Sequence, residues 1–338
     1  MILIDSVYIN ELGGEALLKY FIESLESNKV LENYFFLFDN RIKFNIKFPN
    51  AQFLKASETN RFIFYKKNKN KFSKVLCFAN IPPPLNVSIE TFIYFHNALL
   101  LDLNNTNFSF PTKAMFAAKR NYIKIINKKK YFWIVQTELI KKKLCGKFRI
   151  TDSKVKVLPF YFDNFKNLNK KKSPSSFLYV SGFLPHKNHY RLIRAFSIAA
   201  KKFKNNIHLN LTLKSEDFRK LILSFSKLPP NLIIENLGVL SLDEINLAYE
   251  KNQNLIFPSL KESFGLPLIE ATLKKLNVIS SKLDYVNYVI EPSLSFNPLD
   301  IEDISNSILK TLTLKRLKKP NLVSKNKIDK LINILSSV

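Results

Sequence analysis

The feature that most constrains this chain is a rhythm that starts twice. Short apolar runs of strand length alternate with longer segments whose apolar residues recur at helical spacing. In the first half, Met1–Tyr8 reads as a strand, followed by a tight turn at Gly13-Gly14. A helix then runs from Glu15 to about Ser27, with Ala16, Leu17, Tyr20, Phe21 and Ser24 on one face. Strands are predicted at Lys74–Phe78, Thr91–Phe95 and Tyr131–Gln136, a helix at Thr137–Leu144, and a closing strand at Val155–Pro159. Such alternation predicts a parallel sheet wrapped by helices.

The rhythm breaks at Phe165–Ser176, FKNLNKKKSPSS, a polar and basic stretch suited to a linker. It then resumes with strand Phe177–Val180, helix His189–Lys204, strand Ile207–Leu213 and helix Glu216–Ser226. Strand Leu232–Glu235, helix Leu242–Asn252, strand Leu255–Phe257, helix Leu266–Lys275, strand Val278–Ser280 and a helix over about Ile301–Thr313 complete the series. The expected organisation is a first domain over 1–165, a linker at 166–176 and a second domain over 177–314. The tail at 315–338 is basic, then amphipathic at Ile328, Leu331, Ile332 and Leu335, and is expected to return to the first domain. Two doubly wound α/β domains of this kind are expected to leave a cleft between the carboxyl edges of their sheets, where ligands of such folds bind.

Composition narrows the function classes. A chain of 338 residues with 46% hydrophobic content and thirty Phe is globular, not disordered. Its net charge of +26 invites a nucleic-acid or anionic-membrane partner, but the lysines are dispersed. The stripe of cations with stacking aromatics that a nucleic-acid binder needs is not seen, so no nucleic acid is expected. Met1-Ile2-Leu3-Ile4-Asp5 has no basic leader region, and the most apolar later stretch, Phe92–Leu103, is too short to span a bilayer. Cys77 and Cys145 are too few for a disulfide framework. A cytoplasmic protein is expected, peripheral to the inner membrane face at most.

The chemistry concentrates in Phe257–Ala271, FPSLKESFGLPLIEA. A strand ends at Phe257, a loop crosses to Gly265, and a helix opens with Pro267 near its first position, where a missing N–H costs nothing. The start of that helix offers backbone amides and a partial positive charge to a diphosphate. Glu262 in the loop and Glu270, expected in the first turn, can each accept hydrogen bonds from the vicinal hydroxyls of a sugar ring.

The string resembles the Glu-x7-Glu signature of the retaining glycosyltransferases of family 4, which have the GT-B fold. The resemblance implies that Glu270 binds the ribose of a donor nucleotide and that Glu262 contacts the transferred sugar. The amides of Phe264, Gly265 and Leu266 would lie against the donor sugar and its phosphates. Upstream, Tyr179–Asn188 resembles the segment at the first strand of the family's donor domain, with Gly182 as its glycine. There Lys187 would neutralise the departing diphosphate. Many relatives carry an arginine shortly before this lysine. Here Phe183 and His186 stand in its place, so a His186 partly protonated near neutrality would make a pH-dependent clamp.

Other segments carry less. Asn236–Leu240 resembles the loop whose backbone meets the nucleobase, with Gly238 and Val239 at the contact, although a plain turn glycine fits as well. Gly13-Gly14 matches the family's glycine-rich first turn beside acceptor and donor phosphate, or is only a tight turn. His96 closes a strand and, by resemblance, points towards the reacting sugar; a satisfied core histidine is the competing reading. Neither an Asp-x-Asp nor a Cys/His cluster is present, and no metal or other cofactor is expected. The resemblance thus implies a hexosyltransferase of lipopolysaccharide or capsule synthesis, with a UDP- or GDP-sugar donor and a glycan or polyprenyl-linked acceptor. The rival from another class is a catalytically silent sugar-nucleotide-binding protein of the same fold.

Overall fold

The computed structural model describes every residue except 11, 43–47, 49, 69, 105, 164, 166–171 and 338. It divides into two compact units. The first comprises Met1–Leu103, Ser109–Phe162 and Lys325–Val338; the second comprises Asn104–Phe108 and Asp163–Ser324.

Among the described residues, the first unit is built on strands β1 (Ile2–Ser6), β2 (Tyr34–Asp39), β3 (Ala51–Leu54), β4 (Lys74–Cys77), β5 (Glu90–Phe95), β6 (Phe132–Val135) and β7 (Val155–Val157). Their order is β3-β2-β1-β4-β5-β6-β7, with every pairing parallel. All five residues of β1 are buried, as expected of a parallel strand covered on both faces. Helices α1 (Leu12–Ser27), α2 (Glu58–Asn68), α3 (Phe110–Ile126) and α4 (Glu138–Phe148) cover the sheet. Thr137 caps α4, its side chain accepting the Ile140 N–H at 3.2 Å. The tight turn expected at Gly13-Gly14 is not there: both glycines lie in the first turn of α1, which begins at Leu12.

The second unit has β8 (Ser173–Tyr179), β9 (Ile207–Leu211), β10 (Leu232–Asn236), β11 (Asn252–Phe257), β12 (Asn277–Ser281), the short β13 (Ile290–Glu291), β14 (Leu294–Phe296) and the short β15 (Asn321–Leu322). The main sheet runs β10-β9-β8-β11-β12-β14, again all parallel. Strand β8 begins at Ser173, so the end of the expected linker supplies strand residues; 166–171 of that stretch lie outside the described residues. The helices are α5 (His189–Lys202), α6 (Ser215–Leu223), α7 (Leu242–Lys251), α8 (Leu266–Leu273), the short α9 (Asp284–Asn287) and α10 (Ile301–Thr313). Helix α5 buries Leu192, Ile193, Ala195, Phe196, Ala199 and Ala200, an apolar stripe at helical spacing. Each such Leu, Ile or Phe contributes about 1.5–3 kcal/mol through burial. Ser241 and Glu244 close a capping box at the start of α7.

The chain then re-enters the first unit as α11 (Ile328–Ser336), burying Ile328, Leu331, Ile332 and Leu335. Polar contacts fix its place there: Asn326 Nδ2 donates to Tyr20 Oη at 2.9 Å, and Tyr34 Oη lies 3.0 Å from Ser336 Oγ.

Candidate active site

In the second sheet β8, β9 and β10 step outward in one direction, and the chain then crosses to lay β11 on the other side of β8. At such a reversal, the loops leaving two adjacent parallel strands diverge and open a crevice at their carboxyl ends. The loop after β8 carries Gly182, His186 and Lys187, and the loop after β11 carries Glu262, Phe264 and Gly265. Residues 75 apart in sequence are thereby brought together: Lys187 Nζ lies 2.5 Å from Glu262 Oε1.

Backbone stitching holds the two loops to each other. The Leu260 N–H donates to the His186 carbonyl at 2.7 Å. Tyr179, buried at the end of β8, donates its hydroxyl to the Lys187 carbonyl at 2.7 Å and sits 3.2 Å from Ser259 Oγ. Asn188 takes a left-handed conformation, φ 64°, and its buried amide donates to the carbonyls of Pro258 (3.3 Å) and Pro298 (2.7 Å). Asparagine tolerates that backbone region better than most residues. The lysine is thus presented by a turn whose geometry its neighbours enforce.

His186 does not fit a cationic clamp. Its ring is buried beside Phe108, with centroids 6.1 Å apart. Burial first, and then the Lys187 ammonium, push its pKa down to about 4, so it is neutral near pH 7. The expectation of a partly protonated histidine at this place is therefore corrected. His189, at the start of α5, is also buried, and its pKa is lowered to about 3, mainly by burial.

Helix α8 begins at Leu266, with Gly265 as its cap at φ 88° and Pro267 in the first turn. A side chain on Gly265 would be strained by that φ, and its Cβ would meet Leu268 Cδ1 at 3.1 Å. Glu270 is the fifth helical residue, just past the expected first turn. Its Oε2 accepts the Tyr249 hydroxyl at 2.6 Å. Burial raises the pKa of Glu270, and this hydrogen bond partly offsets the rise. The Phe264 side chain is buried, so any ligand contact there belongs to its backbone. Gly238 adopts φ 77° with open space where a Cβ would stand, and Val239 is exposed next to it. The left-handed turn alone thus accounts for the glycine at 238.

The first sheet reverses between β1 and β4. His96 follows β5, on the far side of β4, and its ring stacks on Tyr94 at 5.5 Å. Asn80, left-handed at φ 68°, accepts the His96 backbone N–H at 2.6 Å through Oδ1. His96 Nε2 lies 3.1 Å from the Phe78 carbonyl, which can only accept, so Nε2 carries the proton. With that tautomer the 3.3 Å approach of Asn80 Nδ2 to Nε2 is a contact, not a hydrogen bond. Burial lowers the imidazole pKa to about 4, against the opposing pull of the Phe78 carbonyl. Gly14 faces the same ring: a Cβ there would stand 3.3 Å from His96 Cε1. Beneath these loops Arg61, fully buried, donates to Asp5 Oδ2 from Nε (3.1 Å) and Nη2 (2.7 Å) and to Glu58 Oε1 from Nη1 (2.7 Å). The Tyr65 hydroxyl adds a third bond to Asp5 Oδ2 at 2.8 Å.

Sequence reasoning gave no role of their own to Tyr179, Asn188, Tyr249 or the Asp5–Arg61 pair. Asn188 alone carried a signal, standing next to Lys187 ahead of a helix. Among the described residues no group of three or more His, Cys, Asp or Glu could hold a metal ion, and no helix is long and apolar enough to cross a membrane.

Residues 161–330 match the family model described as Glycosyl transferases group 1. The O-antigen chain mannosyltransferase RfbU of Salmonella typhimurium is 25% identical over 174 residues, 50% of this chain and 47% of that protein. The serotype-specific mannosyltransferase WbdA of Escherichia coli is 28% identical over 165 residues, 46% of this chain but 20% of its own length. The chain thus spans less than half the length of these curated relatives. Among solved structures, WaaG, a glycosyltransferase involved in lipopolysaccharide biosynthesis, is similar over 100% of both chains with a TM-score of 0.72 at 11% identity. HepE of Anabaena, solved with UDP and glucose, gives a TM-score of 0.66 at 13% identity over 92% of this chain and 89% of its own. At such identities the likeness is one of fold: parallel-sheet α/β units of the GT-B kind.

Proposed function

This chain belongs to the glycosyl transferases group 1 family, and from that premise we propose that it transfers a hexose from a UDP- or GDP-sugar to a glycan or lipid-linked acceptor, with retention at the anomeric carbon. The observation that carries the reading is the 2.5 Å approach of Lys187 and Glu262 ahead of the helix that bears Glu270. It gathers a cation and a helix start for a diphosphate, one carboxylate for a sugar and another for a ribose. In the reaction the bond from C1 to the diphosphate oxygen breaks and a bond from the acceptor oxygen to C1 forms on the same face. The acceptor's proton goes to the departing diphosphate. Lys187 and the α8 dipole meet the charge that grows on that leaving group, and Tyr249 orients Glu270. That RfbU and WbdA are mannosyltransferases supports a hexose, and the UDP and glucose in HepE support a nucleotide-sugar donor.

The role in surface polysaccharide synthesis rests on the same relatives. Contact with an anionic bilayer is proposed for the outer face of α3. Phe110 is 83% exposed and Ile125 73% exposed, and residues 103–137 hold seven Lys or Arg with no Asp or Glu. Apolar side chains among cations suit such a surface. Cosedimentation with phosphatidylglycerol vesicles but not with phosphatidylcholine vesicles is the expected result.

The central test is transfer from a panel of UDP- and GDP-sugars by the purified protein. Glu262→Ala and Lys187→Ala are each expected to lower the rate on the order of a hundredfold, as loss of a transition-state contact does. Near-full activity in both variants would remove the site assignment. Donor binding without any transfer would make the protein a silent binder.

A further inference from the structure

The proposed function assigns Lys187 and Glu262 to opposite sides of one bond, the cation to the diphosphate and the carboxylate to the sugar. In the structure they are each other's partner, at 2.5 Å, with side-chain exposures of 16% and 13%. The pairing is built in. The Lys187 carbonyl is held by Tyr179, the His186 carbonyl by the Leu260 N–H, and Asn188 is tied to Pro258, so the two backbones stay together and only the side chains can separate. A charge-assisted hydrogen bond between two largely desolvated ions is strong, and each ion needs a replacement partner when the other leaves.

An intact donor supplies both replacements. Its diphosphate oxygens take the Lys187 ammonium, and its sugar hydroxyls donate to the Glu262 carboxylate. A nucleoside diphosphate supplies only the first. Once the sugar has gone, the Glu262 carboxylate faces phosphate oxygens of like charge and stands within hydrogen-bond reach of their cation. We infer that Glu262 discriminates the intact donor from the spent nucleoside diphosphate, by competing for Lys187 as soon as no sugar occupies it, and so loosens the product. This role rests on the diphosphate reading of Lys187 and adds to it. The carboxylate that receives the sugar is also the one that helps to eject what the sugar leaves behind.

The experiment is calorimetric titration of UDP and of GDP into the wild type, Glu262→Gln, Lys187→Ala and the double variant, with melting curves to show that each is folded. Glutamine keeps the size and hydrogen-bonding end of the side chain but not its charge. The nucleotide that binds the wild type is expected to bind Glu262→Gln about tenfold more tightly, the scale of one charge-assisted contact released. It should bind Lys187→Ala about tenfold more weakly, and the double variant no more tightly than Lys187→Ala. Glu262→Asp, which keeps the charge, should stay near the wild type. Product inhibition of transfer should deepen in Glu262→Gln to match.

Equal or weaker nucleotide binding in Glu262→Gln, with Lys187→Ala still weakened, would overturn the competition and leave the diphosphate site standing. Wild-type affinity in Lys187→Ala would remove the diphosphate site, and the competition with it. Binding of neither nucleotide to either the wild type or Glu262→Gln would count against both.

Discussion

The two units solve opposite electrostatic problems at their sheet reversals. In the second, the charged pair Lys187–Glu262 sits in loops, close enough to solvent for each partner to be exchanged. In the first, the charged pair is sealed from water: Arg61 and Asp5 are 2% and 1% exposed, and His96 of the same unit is held neutral. The difference teaches that a buried pair and a loop pair of similar geometry serve different ends. One fixes backbone and cannot be opened cheaply; the other is suited to being broken by a ligand.

The largest expected effect breaks the comparison at its root. Arg61→Met leaves Asp5 as an uncompensated buried carboxylate and should cost about 3–5 kcal/mol of stability. Lys187→Met should cost less, about 1–3 kcal/mol, because Glu262 keeps partial access to water. Denaturant titration of both variants checks this, and equal losses would erase the distinction between the units.

Acidification sharpens it. His96, His186 and His189 have pKa values lowered by burial to about 4, 4 and 3. Between these values and about 6.5 the unfolded chain binds protons that the folded chain does not, so their stabilising contribution is complete above about pH 6.5 and is lost as pH falls. At pH 5 the loss is about 2 kcal/mol per histidine. Glu270, whose pKa is raised, works in the opposite sense and softens the loss in the second unit. The melting temperature should therefore fall from pH 7 to pH 5, and fall less in His96→Gln. An unchanged pH dependence in that variant would show that His96 titrates normally.

The smallest effect separates packing from function. Gly14→Ala removes a glycine from the first turn of α1, worth up to about 1 kcal/mol in favour of the helix, but puts a Cβ 3.3 Å from His96 Cε1. Stability within about 1 kcal/mol of the wild type, together with a severalfold slower transfer, is expected from melting curves and rate measurements. An unchanged rate would mean that His96 does not need that clearance.

Much of the second unit was legible because its elements obey their own local rules. Helix α10 runs from Ile301 to Thr313 as the spacing predicts, with Asp300 capping it through the N–H groups of Glu302 and Asp303. In the first unit β2, β3, α2 and α3 were not seen. Strand β3 is an edge strand with its middle residues exposed, and α2 buries Arg61 beside Phe64 and Tyr65, so neither shows a clean apolar pattern. Gly13-Gly14 misled because a glycine pair reads as a turn, whereas the helix absorbs it to leave room for a ring 82 residues further on.

By itself the sequence determined the α/β alternation, the placing of Lys187 and Glu262 in loops that follow strands, and Glu270 on the helix after them. These follow from interactions within a few residues, which local spacing encodes. The tertiary structure alone decided that Lys187 faces Glu262 across 75 residues, that Tyr249 holds Glu270 across 21, and that His186 is neutral. Those outcomes depend on which strands become neighbours and how much water they exclude, and desolvation is a property of the packed chain that no short stretch of it carries.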